Sequence, residues 1–346
     1  MDLMIQNLVG SLISKRVISA PVKQEKMQSL EKNRLENTLV WSSPRVKTLG
    51  TCERKYYYNY IGSWEGWNAS SPPEVQAAYR VKHLTTAELQ IGQLIHDQIR
   101  SIFERARQGQ TIHPAKEIGA VQGRFQTFLR VSEKRGLQDC SAKRPKLFIH
   151  EMGGNLSAKD LDPLNDKIAK YLNGFFGFDD VQHLLADPAV LIPEFLDPPG
   201  FEIGHELGVP ARPKTDAVFL TLDKLIICDW KCGSPSEEHR AQGLTYDLYV
   251  REKLALPPAE ATEVRFYYLG SGEVVSFVFS DEERAERLWA IGEEFETLKS
   301  VSDDPEINTA PESRFNPRLS LRCYGCNHRL MCNAFIASPL NTEGIK

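Results

Sequence analysis

The sequence of 346 residues lacks several features that would assign it to a class at once. No apolar run approaches about 18 residues, so we expect no membrane-spanning segment and no membrane partner. The segment MDLMIQNLVGSLISKRVISA lacks a basic leader followed by a long apolar core, which argues against a secretory signal. No internal repeat occurs. A G-x-x-x-x-G-K-[ST] motif is also absent, so the sequence has no recognisable ATP motor.

An excess of positive charge is also absent. Lys and Arg number 42 against 46 Asp and Glu, which gives a net charge of −4. This balance excludes a histone-like protein that holds nucleic acid by bulk charge, but it allows a local basic groove. The 41% of hydrophobic and 25% of charged residues are typical of a globular protein, and the length suggests two domains or one large domain with extensions.

The cysteine pattern does not resemble a disulfide framework. Seven cysteines are an odd number, and they are spread over a long chain. We therefore expect a reducing, cytoplasmic location, where clustered cysteines are more often metal ligands.

The order of predicted elements indicates an α/β protein, with a mixed sheet flanked by helices and a helical insertion before the sheet. Residues 1–37 form a separate extension, where apolar residues from Met4 to Ile13 recur at helical spacing. That helix either packs on its own domain or docks a partner chain. The main domain spans 38–335, with a helical part at about 80–190, a sheet core at about 194–300, a cysteine-rich segment at 320–335 and a tail at 336–346. Within it we predict helices at about 85–108, 115–135, 160–186, 236–254 and 281–300, and strands at 146–151, 201–208, 215–222, 224–233, 263–270 and 273–280.

A pair of carboxylates and a lysine stand out in TDAVFLTLDKLIICDWKCG. If a tight turn at Leu222-Asp223 joins two strands, the register places Asp216 directly opposite Asp229. Residues two apart share a face of a strand, so Asp229 and Lys231 project together while Cys228 and Trp230 face the other side. A divalent ion such as Mg²⁺ or Mn²⁺ would relieve the repulsion between the carboxylates and activate water for attack on phosphorus. In isolation, however, the same residues are typical of a solvated edge hairpin.

Other residues in the same order make the pattern more specific. His96 lies inside the first predicted helix, and Gln242 and Tyr246 lie one turn apart on the helix after Lys231. The ordered set resembles the RecB-type branch of the PD-(D/E)XK nuclease superfamily, with Cys232 where that family usually has Thr. The resemblance implies a restriction-endonuclease-like fold and a catalytic group of Asp216, Asp229, Lys231, Gln242 and Tyr246. It also implies that His96, Asp216, Asp229 and the carbonyl of Trp230 hold Mg²⁺ or Mn²⁺.

Three cysteines lie close together in LRCYGCNHRLMCN, namely Cys323, Cys326 and Cys332. They need a fourth ligand, for which Cys52 is the strongest candidate. One cysteine before the core and three after it resemble the iron–sulfur subgroup of RecB-type nucleases, which includes the AddB nuclease domain and the CRISPR-adaptation exonucleases. The resemblance implies a [4Fe–4S] cluster. The alternative is structural Zn²⁺ with Cys52 or His328 as the fourth ligand. We assign no chemistry to the other three cysteines, Cys140, Cys228 and Cys232.

The tract from Arg45 to Tyr60 alternates basic residues with tyrosines, as expected for phosphate contacts and base stacking on single-stranded DNA. The tyrosines are equally compatible with core packing. The helix residues Arg100, Arg105 and Arg107 would extend a basic groove.

Together these features predict a metal-dependent DNA nuclease. We expect a single-strand-preferring exonuclease in DNA repair, CRISPR adaptation or phage defence, with a helicase or defence protein as a partner. The first alternative is a catalytically silent iron–sulfur subunit that binds DNA. The second alternative is a zinc-bearing interaction protein in which the D-x-K sequence is accidental.

Overall fold

A computed structural model of the protein describes residues 37–135, 145–195, 201–203, 208–211, 213–256 and 261–339. The extension predicted to contain an amphipathic helix, from Met4 to Ile13, lies outside the described residues, as does Cys140. The chain forms two compact units, and each combines segments that are distant in sequence. Within the described ranges, the first unit takes its residues from Ile95–Ile118 and Ala169–Glu293, and the second takes its residues from Asn37–Leu94, Gly119–Ile168 and the part from Glu294 onward.

Helices make up most of the described chain. Short 3₁₀ turns occur at Pro188–Val190, Pro193–Phe195, Glu312–Arg314, Leu321–Gly325 and Asn327–Leu330. The α-helices are α1 (Ser43–Thr51), α2 (Glu53–Tyr60), α3 (Pro73–Lys82), α4 (Ala87–Arg107), α5 (Pro114–Lys134), α6 (Phe148–Glu151), α7 (Ala158–Gly177), α8 (Asp179–Ala186), α9 (Glu238–Leu254), α10 (Asp281–Ser300) and α11 (Asn333–Ile336).

The strands form one four-stranded sheet and two small ones. The large sheet has the order β5-β6-β7-β8, with β6 and β7 parallel and the two outer pairs antiparallel. In the small sheets, β1 pairs with β2 and β3 pairs with β4. The strands are β1 (Leu84–Thr85), β2 (Lys146–Leu147), β3 (Phe201–Ile203), β4 (Val209–Ala211), β5 (Ala217–Leu220), β6 (Leu225–Lys231), β7 (Thr262–Tyr268) and β8 (Glu273–Phe277).

The hairpin of β5 and β6 has the predicted register. Ala217 lies opposite Cys228, and the amide of Thr221 donates to the carbonyl of Lys224 at 2.9 Å, which closes a turn with Leu222 and Asp223 at its centre. The hydroxyl of Thr221 also contacts Asp223 Oδ1 at 2.9 Å. This side-chain bond stabilises a turn that lacks the usual glycine. The sequence prediction of this register is therefore confirmed.

Helix α9 connects the parallel strands β6 and β7, as parallel neighbours require. It packs closely on β7 at Gly243. A Cβ at this position would lie 3.0 Å from the ring of Phe266. Six of the seven residues of β6 are buried, which agrees with the continuous apolar run of a central strand.

The core of the first unit is centred on Trp230, whose side chain is 1% exposed. Its ring contacts Phe103 of α4, Phe175 of α7 and Tyr267 of β7, at centroid distances of 6.2, 5.3 and 4.5 Å. Cys228 is buried on the same side of the sheet, with Sγ 4.0 Å from the hydroxyl of Tyr267. These contacts hold helices against one face of β6, so Asp229 and Lys231 face the opposite side.

The second unit has an aromatic core of its own. Tyr56 and Tyr58 of α2 are buried, and Tyr56 stacks on buried Phe315 at a centroid distance of 6.1 Å. Trp41 is 2% exposed and donates from Nε1 to Glu294 Oε2 at 2.8 Å. The aromatic residues around positions 41–60 therefore hold residues near 294 and 315 by side-chain packing.

Most predicted elements are confirmed, and two are corrected. The strand predicted at 146–151 ends at Leu147, because α6 begins at Phe148 and Lys146 turns back to pair with Glu151 at 2.9 Å. The helix predicted at 160–186 is broken at Phe178, which is extended and packs on Tyr267 at 5.1 Å. The helices α1, α2 and α3 were not predicted. None of the described helices has the length and apolar character needed to cross a membrane.

One close approach in the first unit predicts a strongly destabilising substitution. A Cβ on Gly174 of α7 would overlap the backbone carbonyl oxygen of Leu269, whereas a Cβ on Gly177 meets nothing within 4 Å. We expect Gly174→Ala to lower the free energy of unfolding by about 1–3 kcal/mol, because rigid backbone must shift. Gly177→Ala is the matched control and should change stability by less than about 1 kcal/mol. Urea unfolding of both variants measures the difference, and equal stabilities would contradict the predicted overlap.

Candidate active site

The candidate site lies at the end of the hairpin of β5 and β6. Asp229 and Lys231 are on β6, and Asp216 immediately precedes β5 in the same register, with its amide donating to the carbonyl of Cys228 at 3.1 Å. The predicted sharing of one face is confirmed, because Lys231 Nζ lies 2.7 Å from Asp229 Oδ2.

Asp216 connects α4 to β6. Its Oδ1 lies 3.0 Å from His96 Nδ1, and its Oδ2 accepts from the backbone amide of Trp230 at 2.8 Å. Burial lowers the pKa of His96, but the hydrogen bond and the negative charge of Asp216 outweigh it, so the net pKa is raised. The imidazole and the carboxylate are thus held as a pair.

Asp229 belongs to a closed ring of four side chains, which we call the Asp229 ring: Asp229, Lys231, Gln242 and Tyr246. Lys231 Nζ contacts Asp229 Oδ2 at 2.7 Å and donates to Gln242 Oε1 at 2.9 Å. Gln242 Nε2 donates to the hydroxyl of Tyr246 at 2.7 Å, and that hydroxyl donates to Asp229 Oδ1 at 2.9 Å. Every polar group of the ring therefore has a partner within it.

The electrostatics of the Asp229 ring follow from burial. Asp229 is only 4% exposed, and this burial, together with the charge of Asp216, raises its pKa to about 6 despite the opposing charge of Lys231. Burial and the charge of Asp229 also raise the pKa of Tyr246, so its hydroxyl remains a donor. At Asp229, burial and the second carboxylate thus outweigh the charges of Lys231 and His96.

The donor set is chemically suited to a hard divalent cation. Carboxylate oxygens are the ligands that Mg²⁺ and Mn²⁺ prefer, and a cation would offset the repulsion that raises the pKa of Asp229. Asp229 Oδ2 has its ion pair with Lys231 but no hydrogen bond of good geometry. As the side chains lie, the described part of the chain contains no group of three or more His, Cys, Asp or Glu residues that could hold a metal ion. Asp216 and Asp229 instead contact side chains of the protein itself.

Two side chains that the sequence analysis did not single out lie beside the Asp229 ring. His239 is one helical turn before Gln242 on α9, and Tyr268 is the register partner of Lys231 on β7. His239 Nδ1 lies 2.6 Å from the hydroxyl of Tyr268. The helical spacing of His239, Gln242 and Tyr246 was the available signal, because residues three and four apart share a helix face.

The proposed cysteine ligands lie in the second unit. Cys52 is the extended residue between α1 and α2, and its Sγ accepts from the backbone amide of Arg318 at 3.5 Å. Burial raises the pKa of the Cys326 thiol, and the neighbouring Cys323 and Cys52 raise it further. The described cysteines form no disulfide. Residues from both ends of the chain are thus close together, although the thiols are not arranged as a metal site.

His328, the other zinc ligand considered, is buried in the second unit. Its Nε2 contacts Asn59 Oδ1 at 2.7 Å, and its Nδ1 has no hydrogen-bond partner among the described residues. Burial and the charges of Lys55 and Lys82 lower its pKa to about 3, so the ring is neutral. Only Nδ1 is left for a metal ion.

Several side chains of the tract from Arg45 to Tyr60 are buried in the second unit or pair with other groups of that unit. Tyr56 and Tyr58 are buried, and Arg54 pairs with Glu312 and donates to the carbonyl of Phe315. In the first unit, Arg105 of α4 pairs with Glu117. These side chains are therefore poor candidates for phosphate contacts, and for the two tyrosines the packing interpretation is supported.

The sequence comparisons agree with this geometry. The family model of the PD-(D/E)XK nuclease superfamily matches residues 40–333. The matched range contains both the hairpin of β5 and β6 and the helix α9. No protein of curated function matches the sequence.

The raised pKa of Asp229 predicts how stability depends on pH. The folded state binds this proton more tightly than the unfolded state, so stability is present at low pH and is lost as the pH rises through about 6. In chelator at pH 7.5 we expect Asp229→Asn to be more stable than the wild type by at least about 1 kcal/mol, and the difference should shrink by pH 4. Thermal unfolding across this range measures it. Asp223→Asn, in the exposed turn, is the control, and a destabilised Asp229→Asn protein at pH 7.5 would contradict the assignment.

Proposed function

Because the chain belongs to the PD-(D/E)XK nuclease superfamily, we propose that it is a metal-dependent deoxyribonuclease that hydrolyses phosphodiester bonds of DNA. The observation that carries this proposal is the Asp229 ring, in which a buried carboxylate and an ammonium are held by Gln242 and Tyr246. A hairpin with a solvated Asp and Lys would not need these partners.

In the proposed site, Asp216, Asp229 and His96 hold Mg²⁺ or Mn²⁺, with help from the carbonyl of Trp230. The cation would supply Lewis acidity toward a phosphate oxygen and lower the pKa of a bound water. Asp216 is already oriented by the amide of Trp230, and Asp229 by the hydroxyl of Tyr246. Such fixed orientation reduces the reorganisation that binding would otherwise require.

Lys231 is the proposed catalytic residue at the phosphate. Its ammonium orients the attacking water or offsets the negative charge that develops on the phosphoryl oxygens as the ester bond breaks. Gln242 Oε1 and Asp229 Oδ2 fix the position of Nζ from two sides, at 2.9 and 2.7 Å. Gln242 and Tyr246 therefore act mainly by positioning Lys231 and Asp229.

The finer proposal is a RecB-type exonuclease that prefers single-stranded ends and works in DNA repair, CRISPR adaptation or phage defence. The spacing of Gln242 and Tyr246 on α9 supports this branch. The sequence has no recognisable ATP motor, so strand separation would come from a helicase or a defence partner. We propose a cytoplasmic location on the basis of cysteine usage.

A catalytically silent DNA-binding subunit is the alternative. It would keep the fold but has no need of an intact Asp216, Asp229 and Lys231 held in hydrogen-bonding contact. The geometry of the Asp229 ring therefore favours the enzyme.

We also propose that Cys52, Cys323, Cys326 and Cys332 hold a [4Fe–4S] cluster, with structural Zn²⁺ as the alternative. The contact of Arg318 with Cys52 Sγ supports the proposal, because it joins the segment after α1 to the cysteine-rich segment. Asn316 donates its amide to Glu53 Oε2 at 2.9 Å, which reinforces this junction. The cluster would have a structural role, closing a long loop of the chain.

Nuclease assays test the proposed reaction. With Mg²⁺ or Mn²⁺ and labelled single- and double-stranded DNA, we expect Asp229→Ala and Lys231→Ala each to lower the rate at least about a hundredfold, because each removes charge stabilisation at the phosphate. The matched controls are Asp223→Asn, which keeps Oδ1 as an acceptor for Thr221, and Lys224→Ala; both lie in the same hairpin outside the site and should keep most activity. Wild-type protein that cuts no form of DNA would contradict the proposal that the protein is an enzyme.

Metal binding has a readout that does not need activity. Mg²⁺ should raise the unfolding temperature of the wild type, because a ligand that binds only the folded state stabilises it. The same concentration should have little effect on Asp229→Ala. Equal stabilisation of both proteins would place the cation elsewhere.

Iron content tests the cluster. In anaerobically purified protein we expect Cys52→Ala to lose iron and visible absorbance as fully as Cys326→Ala does, because each would remove one of four ligands. Cys232→Ala is the control and should keep its iron. Full iron in Cys52→Ala would mean that the fourth ligand lies elsewhere, and colourless protein with stoichiometric zinc would support the alternative metal.

A further inference from the structure

We propose that His239 binds a phosphate of the DNA substrate next to the scissile phosphate, by donating a hydrogen bond from Nε2. This inference rests on the proposed nuclease function. His239 has no role in the Asp229 ring and was not among the residues expected from the sequence.

The position of His239 follows from helix geometry. It precedes Gln242 by three residues on α9, so the two side chains share a face and are separated by about one helical turn, or roughly 5 Å along the axis. Gln242 contacts Lys231 at the proposed scissile phosphate. A group one turn away is therefore placed for the neighbouring phosphate rather than for the reacting one.

Two contacts from β7 fix the orientation of the imidazole. Its ring stacks on Phe266 with a centroid distance of 5.3 Å and an interplanar angle of 17°. Its Nδ1 lies 2.6 Å from the hydroxyl of Tyr268. Since Phe266 and Tyr268 are the register partners of Asp229 and Lys231, the same two strand positions support both His239 and the Asp229 ring.

The hydrogen-bond pattern indicates which nitrogen carries the proton. Burial raises the pKa of the Tyr268 hydroxyl, so this hydroxyl keeps its proton and can donate it to Nδ1 of His239 at 2.6 Å. If Nδ1 accepts, Nε2 of a neutral imidazole carries the hydrogen. Burial and the charge of Lys231 lower the pKa of His239, which favours the neutral ring.

This arrangement leaves Nε2 of His239 available as a donor. Among the described residues it has no hydrogen-bond partner, and the side chain is half-buried rather than enclosed. An oriented donor beside a catalytic lysine, partly open to solvent, suits an anionic oxygen. In a DNA nuclease the available anion is a backbone phosphate.

The test compares steady-state kinetics of the wild type with two variants. His239→Phe keeps a flat ring over Phe266 but lacks the nitrogen donor. We expect it to raise KM for DNA about tenfold to a hundredfold while kcat changes less than about twofold, as for a contact with a phosphate that does not react. His239→Gln should recover part of the loss, because its amide donates. His183→Phe, at an exposed position of α8, is the control.

Substrates with single methylphosphonate linkages locate the contact. For the wild type, neutralising the phosphate beside the scissile one should raise KM, and His239→Phe should show little additional loss at that linkage, which is the signature of a coupled pair. Additive losses at every linkage, an unchanged KM, or a fall confined to kcat would overturn the proposal. These results differ from failure of the proposed function, in which the wild type itself cuts no DNA.

Discussion

The burial of one negative charge in the central strand is the constraint on which the candidate site depends. An isolated carboxylate in a protein interior is strongly disfavoured, and Asp229 lies on a strand whose other residues are apolar except for Lys231 at its end. Its charge is partly offset because Lys231 and Tyr246 contact it and α9 is held against the sheet, whereas the nearby charge of Asp216 opposes it. The Asp229 ring is therefore the place where the fold accommodates this buried charge, and it is also the proposed catalytic site.

The two faces of β6 contact different sets of side chains. On one face, Trp230 packs with aromatic rings from α4 and α7, which fixes the strand in the core. On the other face, Asp229 and Lys231 meet the polar side of α9. Because successive residues of a strand alternate between faces, a shift of one residue in register would exchange these two sets completely. The hydrogen bonds of Thr221 at the hairpin turn fix the observed register.

Much of the site could be predicted from the sequence, and the reasons for success and failure are physical. The pairing of Asp216 with Asp229 followed from the period of a strand and the length of one turn, both local properties. The closure of the Asp229 ring could not be predicted, because it depends on how α9 lies against β7. The helix α2 was missed because its tyrosines do not form a simple apolar stripe. Tyr56 and Tyr58 are buried by residues more than 250 positions away. His239 was missed for a similar reason, since its partners Phe266 and Tyr268 belong to another strand.

The interleaving of the two units has a consequence for the biogenesis of the protein. The first unit takes residues from 95 to 293 with a gap, and the second takes residues from 37 to beyond 294, so neither is a continuous piece of chain. During synthesis, His96 leaves the ribosome long before Tyr246, and Cys52 long before Cys332. A chain that ends before Tyr246 therefore lacks part of the Asp229 ring, and a chain that ends before Cys332 lacks one of the four cysteines. Contacts between segments distant in sequence therefore complete each unit, and such long-range contacts are typical of slow folding.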